Sequence, residues 1–132
     1  MAGQAYVDDK TISNDADLWR RIHPAWAVSD ENRGGWRVSS AAFDDSRDGS
    51  PLSVLLAEIV RATGRVPADV VARFEGHGLA SFTAGIARAR DQGIARSPTP
   101  DEPAHASVFG RKTTATKRAL AGSAQWVVMP RG

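Results

Sequence analysis

The stretch His105-Ala106-Ser107-Val108-Phe109-Gly110-Arg111-Lys112-Thr113-Thr114-Ala115-Thr116-Lys117-Arg118-Ala119-Leu120 changes character at a single glycine. Up to Phe109 the residues alternate as in a strand, with His105 and Ser107 on one side. Beyond Gly110, alanine, leucine and cationic residues predominate, which predicts a helix over residues 114–123. The first N–H groups of a helix lack intrahelical partners and carry partial positive charge. Arg111, Lys112 and the hydroxyls of Thr113 and Thr114 surround that start, a combination that suits a phosphate or a carboxylate. These four residues are ligand-binding candidates. His105 stands beside them, as a donor to bound phosphate or as an acid.

Gly110-Arg111-Lys112-Thr113-Thr114 is similar to the end of a phosphate-binding loop, whose glycines let backbone amides curl around phosphates. The pattern G-x-x-x-x-G-K-[ST] needs a glycine where this chain has His105 and a lysine where it has Arg111. NTP hydrolysis of that type is therefore not expected, and a basic strand-turn-helix remains.

Working outward, residues 126–129 read as a last strand closed by Pro130, and three prolines make residues 97–103 a loop. Ile94 to Arg96 is a short strand. Leu79, Phe82 and Ile86 recur at helical spacing, which predicts a helix over 79–92. Pro67 opens a shorter helix with Val70, Val71 and Phe74 as its buried face. Ser50 and Pro51 are a favourable helix entry, so residues 52–62, apolar on almost every side, are expected as a deeply buried helix ended by Gly64.

Residues 36–43 alternate as a strand that points Arg37 and Ser39 the same way, and both join the ligand-binding candidates. Residues 17–23 are a short helix or a strand; as a strand they put Trp19, Arg21 and His23 on one face. Residues 29–35 are turn-like. Residues 1–13 lack a period and are expected to be a flexible arm, leaving 14–132 as one domain. The expected fold class is α+β, a small sheet of about four short strands with three to four helices packed on one face. The four tryptophans, Trp19, Trp26, Trp36 and Trp126, are expected to anchor its core or rim.

The chain has no cysteine, which excludes disulfides and thiolate metal sites, and its 132 residues can bury a sizeable core without them. No apolar run approaches a membrane span and no secretory signal is visible, so no membrane partner and a cytoplasmic location are expected. The three histidines show no zinc-type spacing, and no metal is expected. Charge is uneven: residues 1–50 hold six Lys/Arg against nine Asp/Glu, and residues 51–132 hold eleven against six. The C-terminal part would draw an anionic partner.

Candidate partners are therefore a nucleotide or nucleic acid, with another protein as the alternative, reached through exposed tryptophan and the proline-rich loop. The leading expectation is a small domain binding a phosphate-bearing ligand, with no cofactor identified. A third reading is a small nucleotide-directed transferase or hydrolase. The order Arg21, Arg37, Ser39 is loosely similar to that in ADP-ribosyl-transferring folds, although no catalytic glutamate stands at an identifiable position.

Overall fold

The computed structural model describes residues 6–30, 32 and 34–131. Their strands are β1 (Asp17–Ile22), β2 (Ala27–Ser29), β3 (Trp36–Val38), β4 (Leu52–Leu56), β5 (Gly78–Thr83), β6 (Gly93–Arg96), β7 (His105–Phe109) and β8 (Gln125–Val128). Their α-helices are α1 (Ala57–Ala62), α2 (Pro67–Val71), α3 (Ala84–Arg88) and α4 (Thr114–Ser123). Six strands make one antiparallel sheet in the order β6-β7-β4-β1-β5-β8, and β2 and β3 make a separate ribbon. The class is α+β, with a larger sheet than the four strands expected.

Alternation along the strands sends one set of side chains to each face of the sheet. On one face Leu18, Ile22, Leu52, Val54, Leu56, Phe82 and Val108 pack with Ala84 and Ala87 of α3, Leu120 of α4, and Phe43. Phe43 meets Phe82 edge to face, with ring centroids 5.6 Å apart. On the other face Trp19, Leu55 and Leu79 pack with Ala57 and Val60 of α1 and Val70 of α2. Helices thus cover both faces, not one.

That two-sided burial explains where sequence periodicity misleads. Residues 52–62, expected as one helix, divide into β4 and α1. A central strand covered on both sides is mostly apolar, here with Ser53 alone as the exception, and over five residues it cannot be told from a buried helix. Ser50 caps no helix: its N–H donates to Asp48 Oδ1 (2.9 Å) within a surface turn. Residues 79–92 likewise divide into β5 and α3, with Leu79 and Phe82 on opposite faces of the sheet. The strand expected over 36–43 stops at Val38, and Ser40–Phe43 is a 3-10 turn capped by Ser39, whose Oγ accepts from the Ala41 N–H (3.2 Å).

Other elements fall where sequence places them: β6, β7, α4 and the start of α2 at Pro67. Residues 17–23 resolve as strand β1. Residues 1–5 of the expected arm, and Glu31 and Arg33 of the expected turn, lie outside the described residues. Residues 6–13 make contacts with the rest of the domain. Tyr6 stacks on Phe109, and Asp9 N–H donates to the Ile94 carbonyl (2.8 Å). Asp8 accepts from Ile94 N–H (2.9 Å) and pairs with Arg88 (3.1 Å).

Candidate functional site

The helix start after Gly110 forms as expected, but most of its polar groups are already engaged. Thr113 is the cap of α4: its Oγ1 accepts from Thr116 N–H (3.1 Å) and lies 3.1 Å from Thr116 Oγ1. The Lys112 ammonium turns inward, with only 3% of its side chain exposed. Its three donors meet Asp45 Oδ1 (2.7 Å) and the carbonyls of Val108 (2.8 Å) and Gly110 (3.3 Å). An ammonium has three N–H groups, so no donor is left for a ligand. Arg111 and Thr114 are exposed, but Lys112 is a strut between β7 and the loop before β4.

Arg37 and Ser39 stand elsewhere. With Asp30, Trp36, Arg118 and Trp126 they line a groove of about 860 Å³ between the β2–β3 ribbon and the C-terminal half of α4. The volume falls within the range of small-ligand pockets. The ribbon is held in place by Trp126 Nε1–H, which donates to the Trp36 carbonyl (3.0 Å). Ala121 and Gly122 form part of the wall, and a Cβ at Gly122 would meet nothing within 4 Å, so small residues leave this side open.

Trp36 is 56% exposed, unlike Trp19, which is buried in the core. Trp26 and Trp126 are half-buried at its margin, so three tryptophans anchor core or rim and Trp36 does not. The side chains of Arg37 and Arg118 are exposed and form no hydrogen bond or ion pair with another described residue. Two arginines and a tryptophan thus line one concavity.

His105 lies on the opposite face of the sheet, in register with Leu55 and, through it, Trp19. The seven candidates therefore do not form one site. Arg37 and Ser39 share the groove; Arg111, Lys112, Thr113 and Thr114 cluster at the start of α4; His105 is apart from both. Arg21, on β1, shares the His105 face, so Arg21, Arg37 and Ser39 are not brought together either.

Sequence reading missed Arg118 and Trp36 as site residues. Arg118 follows Lys117, which pairs with Asp44 (2.8 Å), and nothing in an isolated run of cations tells the paired from the unpaired one. Among the described residues no group of three or more His, Asp or Glu is arranged to hold a metal ion, and no helix is long and apolar enough to cross a membrane. Comparison with protein-family models, with curated proteins and with solved structures gives no match for this chain.

Proposed function

We propose that the protein binds a phosphate-bearing ligand, a nucleotide or single-stranded nucleic acid, in the groove between the β2–β3 ribbon and α4. The observation that carries this reading is that Arg37 and Arg118, unpaired among the described residues, line the same groove as Trp36, a largely exposed residue. Guanidiniums meet phosphate oxygens with paired N–H groups, and an open indole offers a stacking face to a base. The reading keeps the phosphate-bearing ligand expected from sequence and moves its seat from the start of α4 to the groove.

The test is a titration of short single strands and nucleoside triphosphates at low salt, followed by tryptophan fluorescence. Arg37→Ala with Arg118→Ala should weaken binding at least tenfold, and for single strands should flatten the salt slope by about 0.7 for each phosphate no longer neutralised. Trp36→Ala should cost about 1–3 kcal/mol of binding, the usual worth of one stacked base. Absence of binding by the wild type, or an unchanged affinity in the double variant, would sink the proposal.

A further inference from the structure

The other face of the sheet carries a group of polar residues that the groove does not use. β4 and β7 are interior strands of the sheet, and on this face they present Ser53, His105 and Ser107, with Ser53 and Ser107 directly opposite each other. Ser107 is 5% exposed. Buried polar groups on central strands call for an explanation that apolar ones do not.

Part of the explanation is a short hydrogen-bond chain. His105 Nδ1 lies 3.1 Å from the Ser97 carbonyl and 2.8 Å from Ser97 Oγ, which in turn lies 3.0 Å from Ser107 Oγ. With Nδ1–H donated to the Ser97 carbonyl, the ring lone pair lies on Nε2. Nε2 has no partner among the described residues.

His105, Ser53, Trp19 and Arg21 line a cavity of about 40 Å³. That is several times the roughly 10–15 Å³ a single water needs, and far below what a nucleoside fills. Arg21 is half-buried. Its guanidinium lies over the Phe74 ring (4.3 Å) and donates from Nε to the Val70 carbonyl (2.8 Å), its one hydrogen bond among the described residues. Burial holds the Arg21 pKa below its ordinary value, opposed by Glu102, so the charge is kept at a cost that an anion would relieve. Glu102 makes no hydrogen bond to Arg21; its two carboxylate oxygens accept from Arg65 at 2.7 Å.

We propose that this cavity is a second site, independent of the groove, that takes an oxyanion still carrying a proton near neutrality, namely inorganic phosphate. Arg21 supplies the charge, Ser53 a hydroxyl donor, and His105 Nε2 accepts the P–OH hydrogen. An acceptor in this position discriminates. Sulfate has the same shape but no hydrogen to give, so it would set an oxygen lone pair against the nitrogen lone pair.

The experiment is an NMR titration of histidine-labelled wild-type protein with inorganic phosphate and, separately, sulfate, read at the His105 ring, with the Trp36 indole reporting on the groove. Phosphate should shift the His105 signals saturably and at least tenfold more tightly than sulfate, without moving Trp36. Arg21→Met should weaken that response at least tenfold, and Arg21→Lys should retain part of it. No saturable shift at His105, equal responses to phosphate and sulfate, or a response unchanged in Arg21→Met overturns the proposal. The comparison of the two anions on the wild type decides the matter even where Arg21→Met fails to fold.

Discussion

Adjacent residues of one type do different work here. Lys112 is buried with three partners and Arg111 is exposed, although both follow Gly110 and both read as ligand-facing cations. Lys112→Ala would remove the ammonium donor of the Val108 carbonyl and one of the two partners of Asp45 Oδ1, which also accepts from the Leu52 N–H (3.0 Å), so urea unfolding should show a loss of about 1–3 kcal/mol. Arg111→Ala should stay within about 0.5 kcal/mol of the wild type. Asp8 gives a prediction in pH. Burial pushes its carboxyl up, but the Ile94 amide, Lys10 and Arg88 together outweigh that and hold its pKa at about 2. A depressed carboxyl pKa stabilises the fold above the unfolded value of about 3.9, and that contribution is lost as pH falls through the folded value. Urea midpoints should therefore drop between about pH 4 and pH 2. In Asp8→Asn this part of the pH dependence should disappear and the midpoint at neutral pH should already be lower.

At the scale of elements, the caps separate two helix entries that look alike in sequence. Thr113 caps α4 through its Oγ1, so Thr113→Ala should destabilise by about 0.5–2 kcal/mol. Ser50 sits in a turn before a strand, and Ser50→Ala should change stability by less than about 0.5 kcal/mol. Equal effects in denaturant melts would contradict the division of residues 52–62 into β4 and α1. The ribbon β2–β3 depends on a turn with Gly34 and Gly35 at φ 77° and 74°, a region most side chains avoid. Replacing either by valine should disturb the ribbon and with it the position of Trp36 and Arg37, weakening ligand binding in the groove while the main sheet persists.

For the molecule as a whole, the two faces of the sheet carry separate candidate sites: the groove belongs to the α4 side and the His105 cavity to the α1–α2 side. Tryptophan emission should report this division. Trp36→Phe removes the exposed ring and should move native emission to the blue, whereas Trp19→Phe removes a buried one and should move it to the red. Native spectra that do not respond in opposite directions would contradict the placement of the two rings.

Local chemistry alone determined the elements whose signals are unambiguous. The change of pattern at Gly110 marks β7 and α4, Pro67 marks the start of α2, and the prolines at 98, 100 and 103 mark a loop. The mixed α+β class follows from these. Tertiary structure decided whether the mostly apolar runs at residues 52–56 and 79–83 became strands, because a segment this short, buried on both sides and with only one or two polar residues, does not reveal its period. It also decided the site. Arg37 and Ser39 meet Arg118 across a ribbon and a helix far apart in sequence, His105 is carried to the other face of the sheet, and Lys112 is engaged by Asp45. Whether a cation faces solvent or a carboxylate depends on which distant segment the fold lays beside it, and residue order along the chain does not carry that distance.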